Sequence, residues 1–66
     1  MRTGVDITLT DYLTVTEVAL LLKVSRWKVY ELIRTRELVS FQVGRCRRVP
    51  GSAVAELVAR LIREAA

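Results

Sequence analysis

Apolar residues recur at helical spacing in the first half of the chain. Thr14 and Glu17 form a capping-box pattern directly before an apolar run that ends at Leu22. We therefore predict a first helix from near Val15 to about Leu22. The next N-cap signal is Ser25, which predicts a second helix running to about residue 35 and separated from the first by a tight turn.

The second predicted helix has two different faces. Val29, Leu32 and Ile33 lie on one face at helical spacing, which predicts that this face packs on the core. Trp27 and the charged residues fall largely outside that stripe. The outward face of this helix is therefore expected to be basic.

From Val39 the apolar spacing changes from helical to alternating. Val39, Phe41 and Val43 alternate with polar residues, as in a strand. Gly44-Arg45 is a turn signal, and a return strand is expected from Cys46 to Val49. We predict a β-hairpin with three arginines around its tip.

A third helix is predicted after Pro50, which suits the first turn of a helix. Its apolar stripe, at i, i+3, i+4, i+7 and i+8, consists of Val54, Leu57, Val58, Leu61 and Ile62. The order helix, helix, hairpin, helix predicts a mainly α domain with a small β-hairpin, a winged helix-turn-helix, over residues 13–66. Residues 1–12 lack helical periodicity and are expected to form a flexible arm, with order only near its end.

Length and composition restrict the class of protein. At 66 residues the chain holds one domain, near the lower size limit for a core without disulfides or metals. Cys46 is the only cysteine and there is no histidine, so we expect no disulfide, no metal site and no cofactor. Neither a signal peptide nor a membrane span is recognisable, which favours a cytoplasmic protein. Because acidic residues are scattered and no phosphate-binding glycine loop is present, we expect no enzyme.

The net charge of +4 is concentrated in the middle of the chain. Residues 23–48 carry eight basic residues against two acidic ones, a net charge of +6. Residues 1–22 carry a net charge of −2, and residues 49–66 are neutral. Because the basic stretch covers the second helix and the hairpin, we expect double-stranded DNA as the partner and a location at the nucleoid.

A helix-turn-helix presents the N-terminal part of its second helix to the major groove of DNA. Basic side chains there can reach phosphates or guanine edges, and aromatic ones can contact the groove wall. The hairpin would reach the adjacent minor groove or backbone, where arginine is favoured because narrow grooves concentrate negative potential. The candidate DNA-binding residues are Ser25, Arg26, Trp27, Lys28, Tyr30, Arg34, Arg45, Arg47 and Arg48.

Several short motifs between Leu13 and Ile62 resemble those of one family. They are Leu-Thr-x-x-Glu-x-Ala, Val24-Ser25-Arg26, Val29-Tyr30, Leu32-Ile33-Arg34, Glu37-Leu38, Val43-Gly44-Arg45 and Arg48-Val49-Pro50. Together they resemble the excisionase-type helix-turn-helix domain, which is related to the MerR regulators. The resemblance gives the candidate residues on the second helix recognition roles and the hairpin arginines wing roles. It implies a protein that binds and bends attachment-site DNA and directs a tyrosine integrase toward excision.

The sequence departs from this family's pattern at three places. Lys23 stands where a turn glycine is usual, and Thr35-Arg36 replaces a small residue followed by glycine. Gln42 and Cys46 stand where basic residues are frequent. None of these departures breaks the fold pattern.

Two other functions stay open at this point. A small MerR-like repressor would share the DNA-binding part, although such regulators usually carry a dimerising helix and an effector domain after it. A protein adaptor would dock an integrase through the basic face and would not retard duplex DNA by itself. For the DNA-binding functions we also expect cooperative self-association on DNA, because one domain of this size offers only a small interface.

Some side chains on the second helix allow two interpretations. Trp27 either faces DNA or packs on the core. For Tyr30 the two roles are compatible, because its ring can pack on the core while its hydroxyl contacts a phosphate. Glu31 either accepts a hydrogen bond from a cytosine amino group or pairs with Lys28 or Arg34 at helical spacing, and we favour the pairing.

Outside that helix the structural interpretation is favoured. Cys46 is expected to be a small semi-apolar side chain without a function of its own. Leu57, Leu61 and Ile62 are expected to belong to the core, with a partner surface as the alternative.

Overall fold

The computed structural model describes residues 12–66, so the expected N-terminal arm lies, apart from its last residue, outside the described part. The elements are β1 (Tyr12–Leu13), α1 (Val15–Leu22), α2 (Arg26–Arg34), β2 (Phe41–Val43), β3 (Cys46–Pro50) and α3 (Gly51–Ala65). Three helices and a small antiparallel sheet make up the described part, which confirms the predicted winged helix-turn-helix fold.

Helix α1 begins with the predicted capping box. The Thr14 hydroxyl accepts from the Glu17 amide at 3.0 Å, and the Thr14 amide donates to the Glu17 carboxylate at 2.9 Å. The helix ends because Lys23 adopts left-handed backbone angles, with φ 59°. The amide of Val24 then donates back to the Ala19 carbonyl at 3.0 Å. Both predicted ends of α1 are confirmed.

Helix α2 is fixed at both ends by hydrogen bonds to its terminal turns. The Ser25 hydroxyl accepts from the Lys28 amide at 3.1 Å and caps the N terminus. At the C terminus the Arg36 amide donates to Ile33 and the Glu37 amide donates to Leu32, at 3.1 and 2.9 Å. This is a Schellman arrangement, in which Arg36 takes the left-handed position with φ 66°.

Strand β3 lies at the centre of a three-stranded antiparallel sheet in the order β1-β3-β2. In one pair Tyr12 lies opposite Pro50, and in the other Phe41 lies opposite Arg48. The hairpin turns at Gly44, which has φ 61°. Strand β1 was not predicted as a strand, because two residues are too short for an alternating pattern to register.

The core joins all three helices to β3. Its fully buried side chains are Val18, Val29, Leu38, Val49 and Leu57, with Val15, Ala19 and Val54 beside them. Leu32 and Ile33 pack against this cluster together with Val29, which confirms the predicted apolar face of α2.

Two expectations about the C-terminal part were wrong. Leu61 and Ile62 are 43% and 64% exposed and do not belong to the core. The apolar stripe of α3 continues to Ile62, beyond Leu57, the last buried residue of the helix. Pro50 is not in the first turn of α3; it ends β3 and is the N-cap residue of the helix.

Candidate nucleic-acid interface

Helix α2 carries a row of exposed side chains opposite its anchor to the core. Val29 is fully buried, whereas Trp27 is 67% and Tyr30 is 52% exposed. Core packing as the main role of Trp27 is therefore ruled out. All the candidate residues that the sequence analysis placed on this helix are exposed, namely Ser25, Arg26, Trp27, Lys28, Tyr30 and Arg34.

The charges on α2 are only partly compensated. Lys28 and Glu31 form an ion pair of 3.2 Å, one helical turn apart, which confirms the pairing favoured for Glu31. Within residues 12–66, no carboxylate lies within 4.0 Å of Arg26 or Arg34. In the described part of the chain, the surface of α2 therefore presents two guanidinium groups without a carboxylate partner, in addition to its aromatic side chains.

The three hairpin arginines occupy different surroundings. Arg45 is exposed in the turn, next to Gly44. Arg47 donates to the Ser40 hydroxyl at 2.6 Å and to the Gln42 side-chain oxygen at 2.9 Å. Arg48 is half-buried and donates to the backbone carbonyl of residue 47 at 3.0 Å. The wing is thus a set of separate positions and not one patch.

A solvent-open cleft lies between the end of α2 and the hairpin. Its volume is about 510 Å³, and its lining consists of Ile33, Arg34, Arg36, Leu38, Val39, Ser40 and Arg47. The cleft brings together Arg34 and Arg47, one candidate from each element, and leaves Arg48 outside. Arg36 is not among the residues predicted from the sequence; the signal that could have found it is its place just after α2, in a position usually taken by glycine.

Residues 12–66 lack two features that would indicate another kind of site. No helix among them has the length and apolar character needed to cross a membrane. They also contain no group of three or more acidic, cysteine or histidine side chains placed to hold a metal ion.

The structure has two capped helices joined by a tight turn, followed by a hairpin and a third helix. This arrangement defines the class of winged helix-turn-helix domains. A family model described as a helix-turn-helix domain matches residues 12–61. An excisionase of Streptomyces ambofaciens is 49% identical over 55 residues, which cover 83% of this chain and 89% of that protein. The chain belongs to the excisionase-type helix-turn-helix family.

Other relatives are longer than the matched region. A Saccharopolyspora erythraea protein described as a probable excisionase is 42% identical over 52 residues, which cover 79% of this chain and 53% of that protein. A Mycobacterium tuberculosis protein, described provisionally as DNA-binding, is 45% identical over 49 residues, 74% of this chain and 63% of the relative. No solved structure matched the chain significantly.

Proposed function

We propose that this protein is a sequence-specific DNA-binding excisionase that places α2 in the major groove. The observation that carries the proposal is the two-sided character of α2. Val29 anchors one side in the core, while the other side exposes arginine, lysine and aromatic side chains. A helix held in this way enters a groove without disturbing the fold.

The exposed residues divide into two kinds of contact. Arg26 and Lys28 lie in the first turn of α2, the part of a recognition helix that approaches base edges, and we assign them to base recognition. Trp27 and Tyr30 supply contacts to the groove wall, and the cap residue Ser25 lies at the entry of the helix. Sequence preference therefore depends mainly on the first turn of α2.

The second kind of contact is to phosphates. We assign Arg34 and the hairpin arginines, Arg45, Arg47 and Arg48, to the DNA backbone and the adjacent minor groove. With about five to seven phosphate contacts, log affinity falls against log salt with a slope of about −4.5 to −6.

We further propose that the protein acts by DNA architecture and not by catalysis. It binds adjacent sites beside the crossover point, bends the DNA between them, and thereby directs a tyrosine integrase toward excision. Copies on neighbouring sites contact one another, because one domain provides only a small DNA interface. Support comes from the two excisionase relatives and from the arginines on α2 and the hairpin, which have no carboxylate within 4.0 Å among residues 12–66.

The test is footprinting of the purified protein on the attachment-site region of its own element. A random duplex of equal length, at physiological salt, is the DNA control, and Arg63→Ala on α3 is the protein control for loss of one positive charge. Protection of spaced sites near the crossover is the expected result. Protection only at a promoter would indicate the MerR-like repressor, and no protection would indicate the integrase adaptor.

Bending and integrase direction need separate measurements. A set of fragments with the site at permuted positions reports bending through electrophoretic mobility. An excision assay with purified integrase, with and without this protein, reports direction. We expect position-dependent mobility and a gain in excision; uniform mobility would remove the bending step, and unchanged excision would remove the role with integrase.

A further inference from the structure

We infer that the cleft between the end of α2 and the hairpin binds one phosphate of the DNA backbone, and that Arg36 is a DNA-contacting residue there. The inference rests on the proposed DNA-binding function and adds to it a site and a residue outside the candidate set. Its members are Arg34 at the end of α2, Arg36 in the following turn and Arg47 on β3, all of which line the cleft.

Arg47 is held in place before any ligand arrives. Its two terminal nitrogens donate to Ser40 and Gln42, at 2.6 and 2.9 Å, from the neighbouring strand and the segment leading into it. A guanidinium group has five N–H donors, so donors remain for an anion in the cleft. A side chain already fixed in this way loses less conformational entropy on binding.

The cleft collects positive charge without a compensating carboxylate. No acidic side chain among residues 12–66 lines it, and none of these lies within 4.0 Å of its three guanidinium groups. Glu37, the next residue after Arg36, is turned to other partners: Thr35 donates to its carboxylate at 3.2 Å, and Arg60 lies 3.8 Å from it. Guanidinium groups around one opening repel one another until an anion enters, and phosphate matches their donor geometry.

The backbone at Arg36 gives an independent argument. Its φ of 66° closes the Schellman arrangement of α2, a position where glycine costs least. Within residues 12–66 the Arg36 side chain makes no hydrogen bond that would offset the free-energy cost of this backbone conformation. Residues in strained backbone conformations are often found at functional sites. Here the residue is Arg36, which lines the basic cleft.

The substitution that tests the inference is Arg36→Gly, because it removes the guanidinium group while relieving the left-handed backbone. Loss of binding in this variant cannot then be attributed to a weakened fold. We expect an unchanged or higher Tm, a loss of about fivefold to tenfold in affinity for the footprinted duplex at physiological salt, and a salt slope flatter by about one. Arg63→Ala, which removes the same charge from α3, is expected to change neither affinity nor slope appreciably.

A duplex series with one neutral methylphosphonate at each backbone position then locates the phosphate. At one position the substitution should weaken the wild-type protein at least as much as Arg36→Gly does, because Arg34 and Arg47 line the same cleft. On that duplex the further loss in Arg36→Gly should be clearly smaller than the loss in the wild type. If the losses of affinity from the methylphosphonate and from Arg36→Gly add at every position, the inference is overturned, since Arg36 then contributes only general positive charge and contacts no particular phosphate. Equal affinity of Arg36→Gly and wild type would overturn it and leave the proposed function intact, whereas failure of the wild type to bind duplex DNA would remove both.

Discussion

Arg47 and Arg48 are neighbours in the sequence, and their side chains lie on opposite faces of the hairpin. Arg47 lies opposite Gln42 and points to the face that continues into buried Val49. Arg48 lies opposite Phe41, on the face where the ring of Tyr12 meets that of Phe41 edge-on at 5.3 Å. Only the first of these two faces opens onto the cleft beside α2.

Because only Arg47 lies on the face beside the cleft, we predict that its contribution to the free energy of DNA binding is coupled to that of Arg36, whereas the contribution of Arg48 is not. We expect Arg47→Gln and Arg48→Gln each to flatten the salt slope of DNA binding by about one unit, because each removes one of the proposed phosphate contacts. The double variant of Arg47→Gln with Arg36→Gly should show a coupling free energy of about 0.5–2 kcal/mol, since both residues face one phosphate. Fluorescence anisotropy over a salt series measures both quantities.

The matched control is the double variant of Arg48→Gln with Arg36→Gly. The effects of two substitutions on the free energy of DNA binding are expected to add within about 0.5 kcal/mol when the two residues share no partner. Coupling of equal size in the two double variants would mean that the hairpin faces are not distinguished by DNA. It would also remove the structural basis for separating the two arginines.

The ion pair between Lys28 and Glu31 predicts the effect of removing the acidic member. Glu31→Gln should change the free energy of unfolding by less than about 0.5 kcal/mol, because the pair is solvent-exposed. It should raise affinity for a random duplex several-fold, since a negative charge leaves the helix proposed to face DNA and Lys28 is released. Parallel titrations of the specific and random duplexes measure the change; a loss confined to the specific site would restore the cytosine-contact interpretation of Glu31.

Local signals made the helix-turn-helix predictable from the sequence. Capping depends on residues three positions apart, so Thr14, Glu17 and Ser25 give the starts of α1 and α2 without knowledge of the fold. The apolar stripe that includes Val29 likewise gives the buried face of α2, and with it the exposed face where the candidate residues lie. The fold class and the α2 part of the candidate site therefore follow from short-range chemistry.

The remaining features depend on contacts between distant segments. A helical stripe shows which face of α3 is apolar but not how far the neighbouring elements cover it, so Leu61 and Ile62 could not be separated from Leu57. Strand β1 exists only through its pairing with β3. Arg36 joins the cleft because the turn after α2 brings it beside the hairpin, and neither alternation nor charge counting predicts that placement.

Exposure of Trp27 predicts a separation of binding from stability. Trp27→Ala should leave the free energy of unfolding within about 0.5 kcal/mol of wild type, because the ring is 67% exposed. It should weaken DNA binding by about 1–2 kcal/mol, through loss of a large contact at the groove wall.

Leu57→Ala is the opposite control. Removal of its buried side chain is expected to lower the free energy of unfolding by about 2–5 kcal/mol, enough to unfold much of a small domain. Chemical denaturation and anisotropy report the two quantities. A loss of stability in Trp27→Ala as large as that in Leu57→Ala would contradict the prediction.

The left-handed backbone of Lys23, in the turn between α1 and α2, predicts that glycine at this position gives a more stable protein than alanine does. Lys23 has φ 59°, where a Cβ atom is unfavourable, and its amide donates to the Ala19 carbonyl to end α1. Lys23→Gly should therefore be about 0.5–1 kcal/mol more stable than Lys23→Ala, raising Tm by about 2–8 °C relative to it. Both variants lose the same charge, so the difference between them isolates the backbone from any contact of Lys23 with DNA. Equal Tm values in thermal denaturation would show that the left-handed conformation at this turn carries no measurable strain.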